Sequence, residues 1–302
     1  MKVPLISIAL CTYNGEQYLR EQLDTLVDQT YKNLEIIIVD DCSTDSTMQI
    51  LEEYAEQYIN IKVYQNKKNL GYIKNFEKAL SLCLGEYIAM SDQDDSWALN
   101  KIEYLVGLIK DNQLIYHDSE LIDENGHNLN CRIFDYFNFI SGSHNRAFLY
   151  QNSISGHAMM FSKDLKGFLL NIPSEIIHDQ WIAYVASTVG KITYSSKCLV
   201  KYRQHTSSST NILNQKREGR KKNKQQQPAL KIKRLLAYLA FPSNTKKDRS
   251  FLSELVSHYK AKQKKYFSAN LFWFLFRNRN SLFILRKKSG LSRLFFILKE
   301  CI

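Results

Sequence analysis

Acidic side chains that follow an apolar segment are the strongest chemical signal in the first hundred residues. Asp92, Asp94 and Asp95 come directly after residues 87–90, which are typical of a buried strand. Carboxylate oxygens are ligands that suit Mg²⁺ and Mn²⁺, and Mg²⁺ is usually held by one or two carboxylates together with substrate phosphates. The same acids could instead cap the helix predicted over residues 99–108. A metal site and a helix cap are therefore both open interpretations.

Short β-branched segments alternate with segments of helical period through the first 125 residues. This alternation indicates right-handed βαβ units and a parallel sheet, and so an α/β fold class. Gly85 is expected to end the third helix. Strands are predicted over residues 6–10, 34–39, 61–64 and 86–90, then a strand over 158–161, a helix over 178–188 and a strand pair over 191–202.

Three polar loops follow predicted strands, over residues 12–15, 40–43 and 92–95. Ligands of an open α/β sheet gather at the carboxyl ends of its strands, so these loops are expected to share one site. The sequence contains neither GxGxxG nor GxxxxGK[ST], the glycine-rich loops that hold phosphates in dinucleotide enzymes and P-loop proteins. A diphosphate bound at this edge would therefore need a metal.

The positive charge is concentrated in the C-terminal third of the chain. The net charge is +11, but residues 212–302 hold 23 Lys/Arg and four Asp/Glu, whereas residues 1–211 hold 18 and 26. Three apolar clusters, at 235–241, 271–276 and 294–298, lie among these cations. Such segments are typical of helices at a membrane interface, where each basic residue adds about 1 kcal/mol on anionic lipid. A helical cap on the preceding domain is the alternative, and nucleic-acid binding is disfavoured because no such motif is present.

Targeting and cysteine patterns favour a cytoplasmic protein. No run of 18 apolar residues is present, so no membrane-spanning helix is predicted. The N-terminal segment 3–11 lacks a cleavage site and is predicted to be a first strand. Six separated cysteines without CxxC pairs are expected to be reduced, as in the cytoplasm.

Five strings of residues occur in the order and at the spacing of one enzyme family. They are IALCTYNG at 8–15, IVDDCSTD at 38–45, NLG at 69–71, GEYI at 85–88 and SDQDDSW at 91–97. Over residues 3–205 the chain resembles the family 2 glycosyltransferases of the GT-A fold. The resemblance implies a mostly parallel central sheet with flanking helices, an inverting transfer, a nucleotide-diphosphate sugar donor and Mg²⁺ or Mn²⁺ as cofactor.

The resemblance also implies roles for residues of these strings. Asp94, together with Asp92, is expected to bind the metal. Turn and N-cap chemistry remain alternatives for Asp41 and Asp45. The residues expected to bind the nucleotide are Thr12, Tyr13, Asn14, Glu16, Asp41 and Asp92.

An inverting transfer needs a general base that takes the proton of the acceptor hydroxyl. Residues 177–181, IHDQW, resemble the acidic acceptor-side motif of the family, and Asp179 is the candidate base. Asp179 could instead be a first-turn acid that interacts with a helix dipole. His178 and Trp181 of this motif are candidates for contacts with diphosphate or acceptor.

Two further segments supply candidates for contacts with diphosphate or sugar. Residues 202–205, YRQH, resemble a family element, so Arg203 or His205 could meet the diphosphate. Asp118 precedes an Asn-Gly hairpin predicted over residues 123–126 and could touch the donor sugar or the acceptor. A solvated acid at a strand end is the alternative for Asp118.

These inferences predict a catalytic domain over residues 1–210, a basic linker over 211–228 and an amphipathic, membrane-associating tail over 229–302. The expected protein is peripheral on the inner face of the cell membrane, with a lipid-linked glycan as acceptor. The resemblance is greatest to rhamnosyl- and hexosyltransferases of capsule, O-antigen and cell-wall assembly. A catalytically inert, membrane-associated scaffold that binds nucleotide sugars is the alternative.

Overall fold

The computed structural model describes residues 3–205, 227–263, 266–287 and 289–302. Within them, strands and helices alternate through the first half, as predicted. The strands are β1 (Ile6–Thr12), β2 (Leu34–Asp40), β3 (Ile61–Gln65), β4 (Tyr87–Ser91), β5 (Ser96–Trp97), β6 (Leu114–Ile122), β7 (Asn128–Arg132), β8 (Met159–Ser162) and β9 (Ile192–Arg203).

The helices follow the apolar stripes of the sequence. Short 3₁₀ turns occupy Asn145–Leu149, Gly156–Ala158 and Lys163–Leu165. The α-helices are α1 (Leu19–Val27), α2 (Thr47–Gln57), α3 (Tyr72–Leu82), α4 (Lys101–Ile109), α5 (Ile133–Tyr136), α6 (Lys166–Leu169), α7 (His178–Val189), α8 (Gln227–Ala240), α9 (Lys246–Lys262), α10 (Ala269–Arg277), α11 (Arg279–Leu282) and α12 (Gly290–Cys301).

One sheet joins the strands in the order β3-β2-β1-β4-β8-β6-β9-β5, with β7 on β6. Strands β3, β2, β1 and β4 are parallel to one another, and β8 pairs with β4 in the antiparallel sense. The chain moves outward from β1 to β3 and then returns to place β4 on the other side of β1. This reversal leaves a crevice at the carboxyl ends of β1 and β4, where α/β proteins bind their ligands.

Both faces of the parallel strands are covered. Successive residues of a strand point to opposite faces. Ile8 and Ile36 therefore pack with α1, α2 and α4 in one core, whereas Ala9 and Ile37 pack with α3 in the other. Every residue of β2 is buried, as expected for a strand with helices on both sides. The predicted α/β class with flanking helices is confirmed.

Local details differ from the sequence predictions at two places. The strand pair predicted over residues 191–202 is wrong, because these residues form β9 alone. Its pairing moves from His117–Ser195 to Asp118–Cys198, and this bulge interrupts the apolar pattern in the way a turn would. Gly85 lies beyond the end of α3 and packs on β1, where a Cβ atom would lie 2.5 Å from the backbone nitrogen of Ser7.

The predicted Asn-Gly hairpin is confirmed between β6 and β7. The two strands pair antiparallel, and Gly126 at the turn has a φ of 87°. Glycine adopts this left-handed conformation without the steric cost that a Cβ atom brings. β7 thereby joins the same sheet through β6.

The C-terminal helices pack into the same core as the sheet. Leu235 and Tyr238 of α8 are 2% and 0% exposed and join the core that contains α3 and α7. Arg234 donates from Nη2 to Oε1 of Gln180 in α7, at 2.6 Å. Nearly all of the predicted linker, residues 211–226, lies outside the described residues. Within the described ranges, no helix combines the length and hydrophobicity needed to cross a bilayer.

Neighbouring leucines of α8 test this packing. Leu235→Ala is expected to lower the free energy of unfolding by about 2–5 kcal/mol, because it leaves a cavity in the core. Leu236 is 39% exposed, and Leu236→Ala should change the same quantity by less than about 0.5 kcal/mol. Urea titration of the full chain measures both values. Equal losses would mean that α8 is not anchored as described.

Candidate functional site

The loops that follow β1 and β4 are tied together at the crevice. Gln93 accepts a hydrogen bond from the backbone nitrogen of Tyr13 at 2.8 Å and donates one to the Tyr13 carbonyl at 3.1 Å. Gly15 lies under this side chain, and a Cβ atom on it would meet Gln93 Oε1 at 2.4 Å. The pair of bonds therefore requires glycine at position 15. Tyr13 itself is 47% exposed at the site.

Glycine 15 offers a direct test of this geometry. Gly15→Ala should displace Gln93 and cost about 1–3 kcal/mol of unfolding free energy, since two hydrogen bonds of about 0.5–1.5 kcal/mol each are lost. Gly107 in α4 has no atom within 4 Å of a built Cβ, so Gly107→Ala should instead stabilise the protein by about 0.5–1 kcal/mol. In a Gln93→Ala background, Gly15→Ala should cost almost nothing. An undiminished cost there would show that Gln93 is not the obstacle.

The loop after β1 also contacts the loop after β2. Asn14, at a φ of 46°, donates its backbone N–H to Ser43 Oγ and accepts from the Thr44 nitrogen, both at 2.9 Å. Glu16 accepts from the Ser46 nitrogen at 2.8 Å. Thr12 donates to Asp40 at 2.9 Å. Thr12, Tyr13, Asn14 and Glu16 therefore lie together at one edge of the sheet.

Asp41 holds the segment that leads into α3. Its carboxylate accepts from Asn66 Nδ2 at 2.7 Å and from the backbone nitrogens of Leu70 and Gly71 at 2.8 Å. Burial raises the pKa of Cys11 on β1, and the charges of Asp92 and Asp41 raise it further, so the two acids flank β1. Asp45 accepts from the Thr47 nitrogen at the start of α2 and from the Glu16 nitrogen. Asp45 thus has the turn contact that was its alternative interpretation, whereas the bonds of Asp41 go to a segment 25 to 30 residues away.

Asp92 and Asp95 meet His157, which comes from the 3₁₀ turn before β8. His157 Nδ1 lies 3.6 Å from Asp92 Oδ2 and 3.3 Å from Asp95 Oδ2. Burial, and then the charges of Asp94 and Asp92, raise the pKa of Asp95 well above its ordinary value. Burial would also raise the pKa of Asp92, but the neighbouring His157 outweighs it and the pKa is lowered. The side chain of Asp92 is 36% exposed to solvent.

Asp94 pairs with a different histidine. Its Oδ2 lies 2.8 Å from Nε2 of His205, which follows β9. Arg203, only 2% exposed, donates from Nε to the Asp94 carbonyl at 2.9 Å and from Nη2 to Glu21 at 2.6 Å. Its guanidinium lies 4.5 Å from the Tyr18 ring centre. Arg203 therefore holds the acidic loop, and its charged group is already engaged by protein atoms.

Two sets of side chains offer metal ligands. Asp92, Asp95 and His157 bring two carboxylate oxygens and an imidazole nitrogen within 4.8 Å of one another. Asp95 Oδ2 is buried without a hydrogen-bond partner in the described structure, which fits an atom that a cation would satisfy. Asp94 and His205 form the second set. The helix-cap interpretation of these acids is wrong, because α4 begins after Asn100 and has no side-chain cap.

Asp179 lies in the first turn of α7, half-buried. Burial raises its pKa, the nearby His178 opposes the shift, and the charge of Asp92 adds to it. The two carboxylates are therefore close enough to interact. Tyr72 of α3 is also near, since burial and then the charge of Asp179 raise its pKa. His178, the neighbour of Asp179, lies against Gly156, where a Cβ atom would be 3.1 Å from His178 Nε2, and Gly156 precedes His157.

Three further candidates from the sequence, His178, Trp181 and Asp118, differ in their surroundings. His178 stacks on Phe76 at 4.6 Å, next to Asp179. Trp181, 4% exposed, stacks on Tyr184 and Tyr238 in the core and is not brought to the cleft. Asp118 is fully buried and accepts from the Ser119 and Phe134 nitrogens, which also differs from the solvated acid considered as an alternative.

Three side chains in contact with the acidic loop or its partners had no distinct sequence signal. His157 is a single histidine in a Gly/Ser-rich segment, and nothing nearby in sequence marks its contact with Asp92. Lys101 is fully buried in α4, donates to the His157 carbonyl at 2.6 Å and lies 3.0 Å from the Trp97 ring centre. Gln93 had a signal only in its position between two acids.

Comparison with known proteins shows that the chain is similar to members of one enzyme family. The sequence profile of glycosyl transferase family 2 matches residues 7–168. An uncharacterized glycosyltransferase of Haemophilus influenzae is 31% identical over 254 residues, which span 76% of this chain and 72% of the relative. TuaG of Bacillus subtilis, a putative teichuronic acid biosynthesis glycosyltransferase, is 38% identical over 100 residues, or 33% of this chain and 40% of that protein.

Solved structures share the fold. TarS of S. aureus in complex with UDP-GlcNAc has a TM-score of 0.61 at 18% identity, over 99% of this chain and 82% of that chain. The mannosyltransferase PcManGT of Pyrobaculum calidifontis, in complex with GDP-Man and Mn²⁺, has a TM-score of 0.55 at 17% identity, over 93% and 74% of the two chains. At these identities the similarity concerns the fold alone.

Proposed function

The chain belongs to glycosyl transferase family 2, and we propose that it is an inverting enzyme that transfers a hexose, or rhamnose, from a nucleotide diphosphate to a glycan hydroxyl. One observation carries this proposal. The acids after β4 lie at the crevice beside β1, where an α/β sheet binds ligands, and the half-buried Asp179 adjoins His178, which lies against Gly156 beside the His157 that meets Asp92. The acceptor hydroxyl attacks from the side opposite the leaving diphosphate, so the two groups must bind on opposite sides of one such cleft.

Asp179 supplies the base of this mechanism. Its carboxylate accepts the proton of the acceptor hydroxyl while that oxygen forms a bond to the anomeric carbon. The bond from that carbon to the diphosphate oxygen breaks in the same step, and its electron pair leaves with the nucleoside diphosphate. Attack from the side opposite the leaving group inverts the anomeric configuration. Partial burial raises the pKa of Asp179, which makes it a stronger base than an exposed aspartate.

The loops around β1 hold the donor in this proposal. Thr12, Tyr13, Asn14 and Glu16 lie along the nucleoside, with Asp41 toward the base and Asp92 toward the ribose. Asp92 and Asp94 would hold Mg²⁺ or Mn²⁺, and His157 beside Asp92 and His205 beside Asp94 would offer nitrogen ligands. When bound, the cation neutralises the charge that develops on the diphosphate. Arg203 keeps the acidic loop in place through the Asp94 carbonyl.

A lipid-linked glycan at the inner face of the cell membrane is the proposed acceptor. The tail carries the positive charge of the chain, which favours an anionic surface. The name of TuaG refers to teichuronic acid biosynthesis, which supports a glycan as the acceptor. The three-part division into catalytic domain, linker and membrane-associating tail belongs to the same proposal.

A donor screen with the full chain tests the function. Each nucleotide sugar is added with Mg²⁺, Mn²⁺ or EDTA, and the unfolding temperature is measured. A donor at 100 times its Kd should add about 2.7 kcal/mol of stability. We expect one donor to stabilise the protein only with metal, and an acceptor glycan then to yield a product of inverted configuration by NMR. Stabilisation without transfer or hydrolysis would favour the inert scaffold, and stabilisation by no donor would reject the proposal.

A further inference from the structure

Aromatic side chains form a surface ridge on α10. Trp273 is 56% exposed, and its ring centre lies 5.8 Å from that of Phe276. Phe272 stacks on Phe276 at 5.9 Å and also contacts Phe267, which is 41% exposed. We call Phe267, Phe272, Trp273 and Phe276 the aromatic ridge. Soluble proteins rarely expose contiguous apolar surface of this kind unless it meets a partner.

A groove adjoins the ridge between α10–α11 and α12. Its volume is about 290 Å³, and Phe276 is common to the ridge and the groove. Leu291, Leu294 and Ile297 line the wall formed by α12, and Arg279 and Arg293 are the charged residues of the lining. The groove therefore combines an apolar wall with two positive charges and no negative one. This chemistry suits an amphiphilic anion.

The two arginines are pre-positioned. Arg279 donates from Nη1 to the Phe276 carbonyl at 2.8 Å, and its guanidinium lies 4.4 Å from the Phe276 ring centre. Arg293 donates from Nη2 to the Arg286 carbonyl at 2.9 Å, while its Nε is buried without a hydrogen-bond partner in the described structure. A buried donor left unsatisfied is costly, and an anionic oxygen would relieve that cost.

The apolar surface continues along α12. Leu291 and Phe295 are 71% and 70% exposed. They are one helical turn apart and so lie on the same side of α12. Leu291 also lines the groove. The aromatic ridge, the groove and this side of α12 thus form one apolar surface. The groove within it is lined by the two positive charges of Arg279 and Arg293.

We infer that this surface docks on the membrane, with the phosphate of an anionic lipid between Arg279 and Arg293, the lipid chain along Leu291 and Leu294, and Trp273 at the interface. Tryptophan is enriched at that depth of a bilayer, and amphipathic helices rich in Lys/Arg bind there. The charge distribution favours lipid over a second copy, because residues 212–302 are strongly basic and two such surfaces repel. The inference deepens the proposed function by giving the membrane partner a defined site.

Intrinsic fluorescence of the full chain tests docking. Trp97 and Trp181 are 3% and 4% exposed, so a change in emission on mixing with vesicles reports Trp273. We expect a blue shift with vesicles that contain phosphatidylglycerol and none with pure phosphatidylcholine. Trp273→Phe should remove the shift while binding persists by vesicle flotation. Absence of a shift and of flotation with phosphatidylglycerol would overturn the inference.

A charge-matched pair of double variants tests the groove. Arg279→Gln with Arg293→Gln should weaken vesicle binding about 30-fold, since each basic residue near the surface contributes about a factor of five. Lys247→Gln with Lys260→Gln removes the same charge from exposed sites on α9 and should weaken binding less than about threefold. Equal weakening would overturn the groove in favour of diffuse attraction.

Further measurements distinguish a lipid from other ligands of the groove, and the docking inference from the proposed function. Glycerol phosphate at millimolar concentration should leave the unfolding temperature unchanged, and stabilisation by it would mean a free-phosphate site. A dimer in gel filtration that the two arginine substitutions dissolve would mean a second copy. Transfer to a soluble acceptor should be unaltered in all these variants. Absence of transfer by the wild-type chain with intact vesicle binding would reject the proposed function and leave the docking site standing.

Discussion

Asp179→Asn is expected to lower kcat by about 10²–10⁴-fold, because the amide cannot accept the proton of the acceptor hydroxyl. Donor binding should change little, since the donor is held by the loops after β1, β2 and β4. Rates are measured from released nucleoside diphosphate at saturating donor, and donor affinity from thermal stabilisation. Glu103 is a first-turn acid of α4 outside the cleft, and Glu103→Gln should leave kcat unaltered.

The stability of the same variant separates a base from a structural acid. Burial raises the pKa of Asp179, so its folded-state pKa exceeds the unfolded value. The ionised carboxylate is then destabilising at any pH above both values, and Asp179→Asn removes that cost. We therefore expect the unfolding temperature at pH 7 to stay the same or rise. A fall in unfolding temperature with kcat retained would mean that Asp179 interacts only with the dipole of α7.

The pH profile gives a third readout for Asp179. A general base acts when deprotonated, so kcat/KM falls as the pH falls through its pKa in the free enzyme. Because that pKa is raised, the acidic limb should lie above the ordinary range of an aspartate. The profile is measured with buffers that do not bind the metal. A limb at or below the ordinary value would mean that another group titrates.

Asp94→Asn is expected to weaken Mn²⁺ binding by at least about 100-fold and to lower activity accordingly. Mutation of a residue that only supports a metal ligand typically weakens metal binding about 10–100-fold, and loss of the ligand itself should weaken it more. Asp92→Asn should behave similarly. Metal affinity is measured by Mn²⁺ titration with nucleoside diphosphate present. Asp123 also pairs with a histidine, His127, at 3.2 Å but on the exposed hairpin, so Asp123→Asn is the matched control and should change neither quantity.

Histidine variants distinguish the two possible ligand sets. If Asp94 and His205 hold the metal, His205→Ala should weaken Mn²⁺ binding and His157→Ala should mainly alter stability, because His157 is buried beside Asp95. The reverse result would assign the metal to Asp92, Asp95 and His157. Full activity in EDTA, or unaltered metal affinity in Asp92→Asn and Asp94→Asn, would contradict the assignment made from the sequence.

Features that depend on residues close together in the chain could be predicted from the sequence. Alternating strands and helices, the acids after β4 and the Asn-Gly turn are all local features, because periodicity and turn chemistry act over a few residues. The expected edge of the sheet also followed, since parallel βαβ units put strand ends together. The fold class and the location of the candidate site could therefore be predicted before any coordinates.

Contacts between distant segments were decided by the tertiary structure. His205 meets Asp94 across 111 residues, and Arg234 meets Gln180 across 54. No local pattern reports such pairs, because burial and charge at one residue do not say which surface covers it. For the same reason the apolar tail could be assigned to a membrane or to a cap, whereas packing puts Leu235 in the core and leaves Trp273 outside. Residue type determined which chemistry this chain has available, and the packing of the sheet and helices determined which side chains share one site.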